Sequence, residues 1–127
     1  MEKWTIDATD RSPYVILDRQ ESILKIEGRS YPEEGLDFFD PILVRFKTLQ
    51  DSENPIKVLH VRLEYYNSAT TKALSDLFSK MVLARKRGHD TKVIWEYEED
   101  DDGIQEDIEM FVESFDLPFE IRYTEFN

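Results

Sequence analysis

Cysteine is absent from the 127-residue chain, which excludes disulfides, thiol nucleophiles and thiolate metal sites and leaves the redox compartment open. Glycine is scarce as well: the 4 glycines form no phosphate-binding loop, and no G-x-S-x-G nucleophile elbow occurs. Histidine is limited to His60 and His89, so a serine nucleophile would have few candidate bases. His60 lies on the polar side of a strand pattern and His89 in a turn after Gly88, and neither is placed for catalysis. No run approaches the roughly 20 apolar residues of a membrane span, and the opening MEKWTIDATDR lacks the basic-then-apolar order of a secretory signal. These absences point to a cytoplasmic, non-enzymatic protein that needs no cofactor.

Positive charge is also in short supply. Against 28 acidic residues stand 16 Lys and Arg, a net charge of −12, which disfavours nucleic-acid phosphates and anionic membranes as partners. A neutral or basic protein surface fits better. With 40% hydrophobic residues, the chain has the size and composition of one domain spanning 1–127.

Two β-prone runs, Tyr14 to Asp18 and Ile23 to Glu27, flank the polar RQES and predict a hairpin. Ile42, Leu43, Phe46 and Leu49 then recur at helical spacing, with Asp40 as the expected N-cap, Pro41 in the first turn and an end near Gln50. After the loop DSENP, IKVLHVRLEYY alternates, placing Leu59, Val61, Leu63 and Tyr65 on one side and His60, Arg62 and Glu64 on the other. Leu74, Leu77, Phe78 and Met81 mark a second helix that stops at Gly88. KVIWEY reads as a strand, Ile104, Ile108, Phe111, Val112 and Phe115 as a third helix, and PFEIRY as a last short strand. The order β-β-α-β-α-β-α-β predicts an α/β fold with a mixed sheet of about five strands covered by helices.

Where the central strand hands over to the second helix, the chain reads EYYNSATTKAL, from Glu64 to Leu74. Asn67 or Ser68 can cap that helix by accepting a bond from an otherwise unpaired backbone N–H. Capping alone does not require Ser68, Thr70 and Thr71 together. The same helix terminus, with its outward N–H groups and positive end, tolerates a phosphate on Ser68. From local sequence the cluster is either a set of capping residues or a switch. If the helix begins near Ser68, Lys72 and Ser75 fall away from the Leu74, Leu77, Phe78 stripe and are available to a partner.

Two further constellations compete for attention. Glu98, Asp100, Asp102, Gly103, Glu106 and Glu109 fall at positions 1, 3, 5, 6, 9 and 12 of a calcium-loop template, but position 1 is Glu and the incoming segment reads as a strand rather than a helix. Acids gathered at a helix start are favoured by its dipole without any metal. Trp4 and Trp95 read as packing residues.

Taken in order, SYPEE, FFDPI, YYNSATTKAL, VIWEYEEDDDGIQE and LPF resemble the SiaC-type regulatory phosphoproteins, small bacterial proteins with a fold like the STAS domains of anti-sigma-factor antagonists. The likeness runs from about Tyr14 to Tyr123. It implies a STAS-like domain whose phosphorylated position, a threonine after asparagine in the family, is Ser68 here. Thr70 is the next candidate, and Ala69 departs from the family's usual serine. Asn67 would fix the turn, with Thr70, Thr71, Lys72 and Ser75 flanking a docking surface. The resemblance further implies a partner-switching cycle. A serine/threonine kinase with a histidine-kinase-like fold adds the phosphate and a PP2C-type phosphatase removes it, while the unmodified form activates a diguanylate cyclase in cyclic di-GMP and biofilm signalling. Antagonism of an anti-sigma factor is the alternative output.

Overall fold

In a computed structural model describing residues 3–126, nine elements follow one another along the chain. They are β1 (Lys3–Ile6), β2 (Tyr14–Asp18), β3 (Ile23–Ser30), α1 (Gly35–Gln50), β4 (Val58–Tyr66), α2 (Ser68–Lys86), β5 (Lys92–Tyr97), α3 (Asp102–Ser114) and β6 (Phe119–Tyr123). The strands form one six-stranded sheet in sequence order, antiparallel from β1 to β3 and parallel from β3 to β6. Six strands replace the five expected. The addition is β1, whose four residues carry little pattern of their own and become a strand by pairing Trp4 with Leu17 and Ile6 with Val15.

Apolar residues on one face of the sheet, among them Leu24, Ile26, Leu59, Val61, Val93 and Trp95, share a single core with the buried stripes of all three helices. Trp95 is 0% exposed and packs against Phe78 and Phe111. Burying such an aromatic contributes about 2–3 kcal/mol. The expectation of a sheet covered by helices therefore holds for one face only. Across the other face runs a ladder of charges, Lys25 to Glu27, Arg62 to Glu27 and Glu96, and Lys92 to Glu120.

Three local expectations need correction. Helix α1 begins at Gly35, not at Asp40, so Pro41 lies inside it. Pro41 is exposed, and on a solvent-facing turn water can satisfy the carbonyl that a proline leaves unpaired. Tyr65 is 59% exposed and not part of the core face. A register shift after Gly28 pairs Gly28 with Leu63 and Arg29 with Tyr65, so Glu64 is skipped and the alternation slips by one. Val112, assigned to the buried stripe of α3, is exposed, whereas Ile104, Ile108 and Phe111 are buried.

Candidate functional site

The parallel strands β3, β4 and β5 end on the same edge of the sheet, and the loops leaving them lead into the N-termini of α1, α2 and α3. Such an edge is where side chains from separate loops can converge. Asn67 stands between β4 and α2 with extended backbone, and its side-chain oxygen accepts the Thr70 N–H at 3.1 Å. Of the two possible caps, Asn67 is the one used. Its own N–H donates to the Ser30 carbonyl at 3.0 Å, joining the end of β3 to the start of α2.

The hydroxyls divide sharply by position. Thr70 is 0% exposed; its Oγ1 lies 2.8 Å from the Ser30 carbonyl, 2.7 Å from Ser30 Oγ and 3.1 Å from Asn67 Oδ1. This corrects the reading of Thr70 as a reserve modification site and surface residue: a hydroxyl saturated inside the fold meets neither an enzyme nor a partner. Thr71 is half-buried and donates to the Asn67 carbonyl at 3.3 Å. Ser68 is exposed at the first position of α2, and its hydroxyl takes no partner among the described residues. Lys72, one turn further on, is exposed, and Ser75 is half-buried.

Around Ser68 the neighbouring loops are closely fitted. A Cβ on Gly35 would lie 2.3 Å from the Cβ of Ala69, so the start of α1 has no room for a side chain beside α2. Tyr66 donates to Asp107 Oδ2 at 2.6 Å, tying the end of β4 to α3. Burial, followed by this carboxylate contact, holds the Tyr66 phenol protonated well above its ordinary range. Tyr31 and Tyr65 meet edge to face at 5.2 Å, with Arg29 paired to Glu64 beside them. The first turn of α2 carries no acid, and the adjoining loops are rich in them: Glu33 and Glu34 before α1, Glu98 to Asp101 before α3.

The Ser30 hydroxyl and the tyrosine pair were not singled out by sequence reasoning. Ser30 opens SYPEE, so the segment was visible but its partner, 40 residues away, was not. The calcium-loop template finds no support in the geometry. From Asp102 onward its residues belong to α3, where Asp101 serves as N-cap to Ile104 at 3.0 Å, and among the described residues no three acidic or histidine side chains gather around a metal position. His60, on the helix-free face, bonds Glu96 at 2.5 Å, and Arg62 bonds the same carboxylate at 3.2 Å. Burial lowers the His60 pKa despite the opposing pull of Glu96. Burial would raise the Glu96 pKa, but the bonds from His60 and Arg62 outweigh it and hold the carboxyl below its usual range. Both groups are occupied in the sheet ladder, on β4 and β5, away from Ser68. No helix among the described residues is long and apolar enough to cross a membrane.

Comparison with known proteins agrees with this architecture. The model of the SiaC family regulatory phosphoproteins matches residues 6–124. An uncharacterized protein of Pseudomonas aeruginosa (strain UCBPP-PA14) is 30% identical over 120 residues, covering 92% of this chain and 93% of its own. The crystal structure of apo-SiaC from Pseudomonas aeruginosa superposes with a TM-score of 0.83 at 29% identity, over 96% of this chain and 99% of that one. A chain in the crystal structure of the diguanylate cyclase SiaD in complex with its activator SiaC, from the same organism, superposes with a TM-score of 0.86 at 28% identity, over 95% of this chain and 99% of that one.

Proposed function

The chain belongs to the SiaC family of regulatory phosphoproteins, and from that premise we propose that it is a non-catalytic, cytoplasmic partner-switching protein controlled by reversible phosphorylation of Ser68. A serine/threonine kinase with a histidine-kinase-like fold adds the phosphate, a PP2C-type phosphatase removes it, and the unmodified protein binds and activates a diguanylate cyclase. The observation that carries this reading is the division of the hydroxyls: Ser68 is exposed and unengaged at the first position of α2, while Thr70 is buried and bonded. The SiaC relative crystallised as activator with its cyclase supplies the partner class.

Physical chemistry supports both states. A phosphate at this position adds about −1.5 to −2 charges beside helix N–H groups that face outward, so the helix itself accepts it. A partner seated over Ser68 does not. One unit of added charge about 8 Å from a partner carboxylate costs about 2 kcal/mol at an effective dielectric of 20 and about 0.5 in water. Two such charges against one carboxylate weaken binding by roughly 5-fold to 1000-fold. Lys72, one turn along, lies within the docking surface, and Asn67 fixes the turn that presents Ser68.

The test combines two measurements. Incubation with ATP and the cognate kinase, followed by intact-mass analysis, adds one phosphate that Ser68→Ala abolishes. Ser68→Asp weakens cyclase binding and activation with the fold unchanged. A phosphate retained in Ser68→Ala refutes the site; cyclase activity indifferent to the wild-type protein refutes the output, and capture of an anti-sigma factor in its place redirects it.

A further inference from the structure

Along the polar side of α2, every fourth residue from the helix start gives the row Ser68, Lys72, Asp76 and Lys80. Residues four apart are neighbours on a helix surface, with Cβ atoms about 5–6 Å apart, and their side chains lean toward the helix N-terminus. The second half of the row shows the consequence, because Lys80 Nζ reaches back to Asp76 Oδ1 at 2.9 Å. By the same geometry the position within reach of Lys72 is Ser68, which offers a hydroxyl and no carboxylate. Lys72 is exposed and makes no ion pair or hydrogen bond among the described residues. The acid on its other side, Asp76, is already held by Lys80. Ala69 and Ser75, three residues away in either direction, carry no charge.

One negative charge is therefore missing from a row that otherwise alternates in sign. We propose that Lys72 is the receiving cation for a phosphate on Ser68, so that modification completes the series phosphate, Lys72, Asp76, Lys80. This inference rests on the phosphorylation reading above and adds how the modified state is held. Transfer of the γ-phosphoryl group from ATP to Ser68 Oγ, with ADP leaving and the hydroxyl proton released, places about −1.5 to −2 charges one turn from the Lys72 ammonium. The ammonium donates to the phosphate oxygens, and its charge favours the dianion over the monoanion. Two changes follow at the docking surface. Negative charge appears at Ser68, and Lys72, available to a partner carboxylate in the unmodified protein, becomes occupied. The switch removes an attractive contact as it adds a repulsive one, and a binding surface discriminates by both means.

Full-length protein with phosphoserine incorporated at position 68 during translation separates the pairing from the kinase. The second ionisation of the phosphate, near pH 6 when unperturbed, is followed by phosphorus-31 NMR at low salt. Lys72→Met raises its midpoint by about 0.3 pH units, the size of an i,i+4 ion pair on a helix, Lys72→Glu raises it further, and Lys72→Arg leaves it within about 0.1. Amine acylation mapped by peptide mass spectrometry supplies a second readout. It slows at Lys72 by about twofold or more when the phosphate is present, as a rise of about 0.3 units in the lysine's own pKa requires. Lys86, exposed at the far end of α2, reacts as before. A phosphate midpoint unmoved by Lys72→Met and Lys72→Glu, or a Lys72 equally reactive with and without the phosphate, overturns the pairing and leaves Ser68 phosphorylation standing. Absence of phosphate on Ser68 after incubation of the wild type with ATP and the cognate kinase overturns the phosphorylation reading itself, and the inference with it.

Discussion

Replacing Thr70 by valine separates the structural hydroxyl of the α2 start from the one assigned to signalling. Valine keeps the branched shape, so only the hydroxyl is lost. In the native fold Thr70 Oγ1 donates toward the Ser30 carbonyl at 2.8 Å and shares a second bond with Ser30 Oγ at 2.7 Å, all of it away from solvent. Removing it leaves Ser30 Oγ buried without this partner, which costs about 1–3 kcal/mol, offset by less than about 1 kcal/mol for the added methyl. A net loss of about 2 kcal/mol is expected. With 127 residues and an unfolding entropy of about 2.1 cal/mol/K per residue, each kcal/mol moves the melting temperature by about 4 °C, so Thr70→Val melts about 7 °C below wild type. Ser68→Ala removes a hydroxyl with no partner and changes stability by less than about 0.5 kcal/mol, within about 2 °C. The assay is thermal unfolding followed by circular dichroism, with Ser30→Ala and the Ser30→Ala/Thr70→Val pair included. Because the pair removes both members of one bond, its loss is smaller than the sum of the singles by at least about 0.5 kcal/mol. A Thr70→Val melting within 2 °C of wild type, or a Ser68→Ala falling equally far, would refute the assignment of the two hydroxyls.

Other perturbations probe the same framework. Gly35→Ala places a Cβ 2.3 Å from that of Ala69 and destabilises by about 1–3 kcal/mol in urea unfolding; adding Ala69→Gly relieves the contact at a helix cost of about 1 kcal/mol. Asn67→Ala loses the cap on Thr70 N–H, lowering stability by about 1 kcal/mol, and Asn67→Asp, which still accepts that bond, recovers most of it. Acid sensitivity should trace to the helix-free face. Burial lowers the folded pKa of His60, so the unfolded chain binds its proton first and the stability present above about pH 6.5 is lost as pH falls through the folded value. Glu96, also lowered on folding, adds a further loss below about pH 4.5. Urea midpoints measured from pH 7.5 to pH 5 should decline in the wild type and flatten across the upper part of that range in His60→Gln.

Much of the architecture was readable in advance because it is written in short-range periodicity. The stripe Leu74, Leu77, Phe78, Met81 announced α2, and all four residues are buried; the alternation from Leu59 to Leu63 announced β4. Errors arose where one element adjusts to another. Asp40 and Pro41 have the chemistry of a helix start, yet α1 extends back to Gly35 and includes Phe39, which is buried in the core it shares with the sheet. Tyr65 followed the alternation of its own strand, and the shift that exposes it is a property of the β3/β4 pair.

The hydroxyl cluster shows the same boundary at the candidate site. By itself the sequence determined that a helix starts near Ser68, capped by Asn67 or Ser68, that several hydroxyls crowd its first turn and that the chain is too acidic to favour anionic surfaces, since these depend on neighbours within a turn or on composition. Only the tertiary structure decided which hydroxyl faces solvent. Thr70 is buried because Ser30, 40 residues earlier, ends its strand opposite it, and Ser68 is exposed because helix geometry turns it the other way. A buried hydroxyl needs a partner supplied by the fold, and no local pattern specifies where in the chain that partner lies.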